Sequence, residues 1–179
     1  AVKVVHSLTN GSNGIRTIAP WALTVLAPGG LEIVPMGRQD YEFLSDRKLV
    51  LWPYTNMADS RVTWGKDYIT LRSDEGTPDG PFKFGFTNYA GWAAYINKGT
   101  AFIKKYHHDP SARYPDGGVS YETYANDRFI EIETLGVLKE VMPGETTSCE
   151  ETWELMPVSR VPNPKNEAAL DKFSAKIVK

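Results

Sequence analysis

One cysteine, three histidines, no excess of either charge and no long apolar run mark what this 179-residue chain has little of. Cys149 alone closes no internal disulfide and builds neither a zinc site nor a redox pair. With 20 Lys+Arg against 22 Asp+Glu, the net charge of −2 leaves no basic footprint for a nucleic-acid partner. No stretch approaches the roughly 18 consecutive apolar residues of a membrane span, and Ala1 to Leu8 lacks a charged-then-apolar signal layout. A soluble chain with no membrane partner is expected, its compartment open between cytoplasm and periplasm. Its strand-like start is what a fragment or a processed form would show. Neither GxGxxG nor GxxxxGK[ST] occurs, and Pro28-Gly29-Gly30 has no following helix, so no cofactor-cradling loop is expected. A GxSxG elbow is also missing, and three histidines leave nucleophilic hydrolase templates little to work with.

What is present is β-type sequence. Short runs rich in β-branched and aromatic residues recur between Gly, Pro, Asn and Asp clusters, the spacing of an antiparallel sandwich or barrel. Val2 to Thr9 alternates and stops at Asn10-Gly11-Ser12-Asn13-Gly14, which predicts a hairpin with the return run Ile15 to Leu26. Pro20 cannot donate to a ladder, so a bend is expected near Pro20-Trp21. Further strands are predicted at Leu31 to Pro35, Leu49 to Tyr54, Tyr68 to Arg72, Phe82 to Phe86, Trp92 to Ile96, Ala101 to Tyr106, Val119 to Ala125, Phe129 to Leu135 and Thr146 to Leu155. Asn97-Lys98-Gly99 and Asn126-Asp127 are short enough to close hairpins. Met36 to Lys48 reads as irregular and Ser73 to Pro81 as an exposed loop. Only the tail is helical in pattern: Asn163 would cap before Pro164, and Leu170, Phe173 and Ile177 recur at spacings of three and four, predicting a helix over Pro164 to Val178. One domain is expected, a sandwich over residues 1–162 with 163–179 as its own helical tail.

The strand from Arg128 to Leu135 carries the chemistry most visibly. Alternation puts Phe129, Glu131, Glu133 and Leu135 on one face and Arg128, Ile130, Ile132 and Thr134 on the other. Two carboxylates about 7 Å apart repel, and in a cleft one would be tuned upward as a general base. The same pattern also describes a solvated face with Lys or Arg partners on a neighbouring strand. His107-His108-Asp109 has the residue types of a metal or proton-transfer site, but neighbouring strand residues point opposite ways and a third ligand is lacking, so no metal is assigned. Aromatic residues beside polar ones, among them Trp52, Tyr54, Trp64, Trp92 and Tyr124, offer ring faces for sugar C–H surfaces, and they equally build a β-sandwich core. Arg113-Tyr114-Pro115-Asp116-Gly117-Gly118 places charges in a connection, as binding sites do and as turns do.

In chain order, His6-Ser7-Leu8-Thr9-Asn10, Pro20-Trp21-Ala22-Leu23-Thr24 with Ala27-Pro28-Gly29-Gly30, Leu51-Trp52-Pro53-Tyr54, Gly91-Trp92-Ala93-Ala94-Tyr95, Ala112-Arg113-Tyr114-Pro115-Asp116 and Glu131-Ile132-Glu133-Thr134-Leu135-Gly136 resemble an uncharacterised bacterial group among the galactose mutarotase-like, or aldose 1-epimerase-like, families. The resemblance spans about residues 4 to 156. It implies an all-β antiparallel supersandwich, of which this chain looks like the later part, with a carbohydrate site on a concave sheet face. Ile132-Glu133-Thr134-Leu135 is similar to the strand motif that holds the family's general base, which makes Glu133 the implied catalytic residue. The family's acid is a histidine, and the matching stretch Ala19-Pro20-Trp21-Ala22-Leu23 has none.

The expectation is a carbohydrate-binding, mutarotase-like domain of doubtful catalytic activity that takes a sugar or oligosaccharide. Glu133 is its catalytic candidate; Glu131, Trp21, Arg113, Asp116, Trp92 and His107 are its substrate-binding candidates. One alternative is an active aldose 1-epimerase-type isomerase with Glu133 as base and His107 or His108 as acid. Another is a structural β-sandwich module that forms a homodimer or docks onto a missing N-terminal portion, since a sheet cut at Val2 exposes an unpaired edge.

Overall fold

A computed structural model describes residues 1–37, 43–76 and 80–178. Its strands, in chain order, are β1 (Val2–Thr9), β2 (Arg16–Ile18), β3 (Trp21–Leu26), β4 (Gly30–Pro35), β5 (Leu49–Leu51), β6 (Val62–Trp64), β7 (Tyr68–Ser73), β8 (Phe82–Phe86), β9 (Trp92–Asn97), β10 (Thr100–Tyr106), β11 (Tyr121–Ala125), β12 (Ile130–Leu135), β13 (Lys139–Val141) and β14 (Thr146–Pro157), followed by one helix, α1 (Glu167–Ser174). The expected all-β antiparallel sandwich with a short C-terminal helix is what forms. A seven-stranded sheet runs β1-β14-β10-β9-β4-β7-β6, a five-stranded sheet runs β3-β12-β11-β8-β5, and β13 and β2 make a two-stranded ribbon. No described helix is long and apolar enough to cross a membrane.

The chain's alternation produces two cores. Phe82, Phe84 and Phe86 on β8 and Ile130 and Ile132 on β12 project from the five-stranded sheet onto Val34, Ile69, Leu71, Ala93 and Tyr95 of the seven-stranded sheet. The other face of the larger sheet gives Leu31, Ile33, Trp92, Ala94, Ile96 and Ile103, which pack beneath Leu170, Phe173 and Ile177 of the C-terminal segment. Burying side chains such as Leu170 and Phe173 stabilises by about 1.5–3 kcal/mol each, and this docking, not helix propensity, holds an eight-residue helix in place.

Local expectations fared unevenly. The short connections close as read: Lys98 and Gly99 take left-handed φ of 47° and 76° between β9 and β10, whose ladder pairs Thr100 with Asn97. The break at Ala19-Pro20 separates β2 from β3. The hairpin expected at Asn10 to Gly14 does not form, because β1 pairs with β14 while β2 and β3 pair with β13 and β12. Asn10 Nδ2 instead donates to the carbonyls of Gly14 and Val141, both at 2.8 Å, so the turn moves the chain between sheets. The helix starts later than Pro164. Asn163 Oδ1 accepts from Lys165 N to make a local turn, and Asn166 is the residue that caps, accepting from Ala169 N. Parts of the irregular segment from Met36 to Lys48 and of the loop from Ser73 to Pro81 lie outside the described residues.

Candidate functional site

The five-stranded sheet commits one face to the core, so alternate residues stand on its outer face. On β12 these are Glu131 and Glu133, while Thr134 turns inward and donates to Glu151 of β14. The register brings Glu133 opposite Glu122 of β11 and Leu23 of β3, and Glu122 in turn opposite Gly85 of β8. Lys83, two residues before Gly85 and so on the same face, reaches across β11. Its ammonium lies 3.1 and 3.0 Å from the two oxygens of Glu133 and 2.8 Å from Glu122 Oε2. The Trp21 indole N–H donates to Glu133 Oε2 at 2.8 Å. The rings of Trp52 and Trp21 flank the same ammonium, with centroids 4.7 and 5.2 Å away.

Two carboxylates and one ammonium cannot all be satisfied as ions. Glu133 and Glu122 are buried, and Glu122 Oε1 has no hydrogen-bond partner. Burial, opposed by Lys83 and reinforced by the Glu133 charge, pushes Glu122 up to about 7. Burial works against the charged form of Lys83, but its two carboxylate partners outweigh it and hold this amine above the ordinary lysine range. Glu131, half-buried at the margin, is raised by burial first and by Glu133 second. The cluster therefore offers one ion pair and one carboxyl that exchanges its proton near neutrality, roofed by two indoles. Trp21 remains 54% exposed, and Tyr54, close enough to feel the charge of Lys83, 45%. Gly85 leaves room for Val119: an added Cβ would stand 2.8 Å from Val119 Cγ2, and in ordinary contact, at 3.5 Å, with Trp52 Cη2.

The sequence-derived candidates divide between this face and others. Glu133, Glu131 and Trp21 belong to it. Asp116, in a left-handed conformation ahead of Gly117 and Gly118, lies close enough for its charge to act on Glu122. Arg113 is exposed on the connection after β10, where its carbonyl accepts from Leu138 N. Trp92 is corrected: it is 3% exposed in the core beneath α1, because the inward side of β9 that carries it faces the helix, and no sugar can reach its ring there. His107 lines a separate cavity of about 330 Å³ with Thr134, Cys149 and Glu151, where β10 and β12 end beside β14. Thr134 and Glu133 being neighbours on one strand, that cavity and the carboxylate cluster lie on opposite faces of the sheet. His108 is tied to Ser120 Oγ at 2.7 Å and stacks on Tyr114, and burial lowers its pKa.

Lys83, Glu122 and the pairing of Trp52 with Lys83 escaped the sequence reading. The one available signal was a lysine between Phe82 and Phe84, where alternation alone puts it on the face away from the core. The partner anticipated for a solvated glutamate face does exist, but it is buried and sits two strands away instead of one. Among the described residues, no group of three or more His, Cys, Asp or Glu side chains is placed to hold a metal ion.

No family model matches the sequence, and no curated protein matches it. Among solved structures, the fold is similar to that of a protein from Escherichia coli K12 described as a putative aldose 1-epimerase, with a TM-score of 0.51 and 13% sequence identity. The likeness covers 87% of this chain and 56% of that one, so the chain spans little more than half of that structure. At this identity the similarity is one of fold.

Proposed function

We propose that this chain is a carbohydrate-binding, mutarotase-like domain whose sugar surface is the outer face of the five-stranded sheet. The observation that carries the reading is the exposed Trp21 ring standing with Trp52 over the Lys83–Glu122–Glu133 cluster. A pyranose stacks its C–H face on an indole, while Glu131 at the margin supplies an acceptor for its hydroxyls. Catalysis is weak in this arrangement. Anomer exchange requires a base on the anomeric hydroxyl and an acid on the ring oxygen, and both oxygens of Glu133 already accept hydrogen bonds from Lys83 and Trp21. Calorimetry against a panel of neutral mono- and oligosaccharides tests the reading. Saturable binding that Trp21→Ala weakens at least tenfold is expected; heats no larger than dilution across the panel would sink it.

One observation favours an active aldose 1-epimerase as a second reading. Glu122, with its unpartnered oxygen and a pKa of about 7, faces Glu133 and supplies the proton donor that neither His107 nor His108 provides on this face. Polarimetry of freshly dissolved glucose and galactose separates the two readings. Mutarotation accelerated by protein and lost in Glu133→Gln supports the enzyme, and a rate equal to buffer supports binding alone.

A further inference from the structure

The C-terminal helix is divided in charge. Its acidic side chains are engaged in docking: Glu167 Oε1 accepts from Lys66 N at 2.7 Å, and Asp171 Oδ1 accepts from the Tyr68 hydroxyl at 3.0 Å. Lys172 in the last turn of α1 and Lys176 in the turn just after it line the side facing the strap that follows β14, and Arg160 projects from that strap. Between helix and strap runs a groove of about 410 Å³ whose lining includes these three cations and no carboxylate. None of the three has an ion-pair partner among the described residues. The two amide side chains in the lining are also left as donors. Asn163 Oδ1 is taken by Lys165 N and Asn166 Oδ1 by Ala169 N, which leaves their NH₂ groups for a ligand. In a chain of net charge −2, a concave surface made of three cations and two amide donors is a local reversal of sign that selects oxyanions. The volume exceeds what a single phosphate needs, and Val161 and Pro162 form an apolar side to the groove.

We propose that this groove binds a small phosphate monoester, with the dianionic phosphate held among Arg160, Lys172 and Lys176 and the organic part against Val161 and Pro162. The proposal is independent of the sugar-binding reading of the five-stranded sheet, which lies on the other side of the sandwich. Amide NMR shifts of the whole chain, followed at Ala169 and Phe173, test it with glucose 6-phosphate, inorganic phosphate and glucose as probes. Glucose 6-phosphate should saturate these shifts at least tenfold more tightly than inorganic phosphate, lose affinity as salt is raised, and be lost at least tenfold in Arg160→Glu/Lys172→Glu. Both substituted residues are exposed, so the thermal midpoint of the variant should match the parent. Failure to saturate, equal affinity for inorganic phosphate and the ester, equal response to glucose, or unchanged binding in the double variant would each overturn it.

Discussion

Trp21 and Glu133 are joined by a 2.8 Å hydrogen bond between the two strands at the margin of the five-stranded sheet, so the most exposed aromatic ring of the candidate site is fastened to its most buried carboxylate. A ligand that stacks on the indole therefore bears directly on the group beneath it. The electrostatics of that group and of three other buried carboxyls, Glu122, Glu32 and Glu151, lead to three expectations, and the packing around Gly85 to a fourth.

Lys83→Met removes the only cation that pairs with Glu122 and Glu133 among the described residues and leaves both carboxyls buried. Breaking a buried pair from one side costs about 3–5 kcal/mol. The loss should be larger at pH 8 than at pH 5, because protonation relieves the uncompensated charge. Urea unfolding at the two pH values measures it, and an equal loss at both would contradict the ion-pair account.

Glu32 is enclosed in the core, where Tyr121 and Thr123 donate to it, and burial pushes its pKa up to about 8. Glu122 is likewise raised, to about 7. In the folded state both hold protons that the unfolded chain releases near 4.5, so the contribution of these two carboxyls to stability is greatest at acid pH. It declines as pH rises from about 4.5 and levels off above 8. Glu151 works in the opposite sense: Lys104 and the Thr134 and Trp153 donors overcome burial and lower its pKa, so its contribution fades as pH falls below the unfolded value. Glu32→Gln removes the charge, keeps an acceptor for Tyr121 and turns an NH₂ donor to the Thr123 hydroxyl, which can accept it while donating to the Glu131 carbonyl. It should flatten the slope between pH 5 and 8 and be more stable than the parent at pH 8, as thermal scans across that range will show.

Lys104 ties the two sheets together. From β10 it donates to the carbonyls of Ala22 and Ile132 in the five-stranded sheet at 3.0 and 3.1 Å, and it pairs with Glu151 at 2.9 Å. Lys104→Met takes the lysine from buried Glu151, leaving it only the Thr134, Trp153 and His6 contacts, and should cost about 3–5 kcal/mol, whereas the double variant Lys104→Met/Glu151→Leu should recover a large part of that loss. Chemical denaturation of the four-member cycle reads the coupling; additive losses would mean the pair acts independently.

Gly85→Ala places a methyl against Val119 and the edge of Trp52. Overpacking against Val119, 2.8 Å from the new methyl, costs about 1–3 kcal/mol, while Trp52 at 3.5 Å gains only an ordinary contact. A lower unfolding midpoint with Trp52 still seated over Lys83 is expected, read by thermal scans and tryptophan fluorescence. An unchanged midpoint would show that Val119 gives way without cost.

Much of the architecture was legible locally. Glu131 and Glu133 could be placed on the face opposite Ile130 and Ile132 because a strand's alternation is fixed by its own backbone. The turns at Asn97 to Gly99 and at Asn126-Asp127 were legible because the chain reversal is made within them. Pairing was not. Nothing near Asn10 says that β1 will add to β14, more than 130 residues away, and two short strands, β6 and β13, carry too few residues to show a period. Trp92 was misplaced for the same reason: its strand has core on both faces, and only the position of α1 makes its side an interior.

The sequence by itself determined an antiparallel β domain with a helical tail, because side-chain period and turn chemistry act between residues close along the chain. It also determined which way Glu133 faces. The tertiary structure alone decided what Glu133 meets, since Lys83 reaches it only through the order β8-β11-β12 and Trp21 only through the pairing of β3 with β12. Strand order and register are set by the packing of the whole sandwich, and the charge balance of the site follows from them.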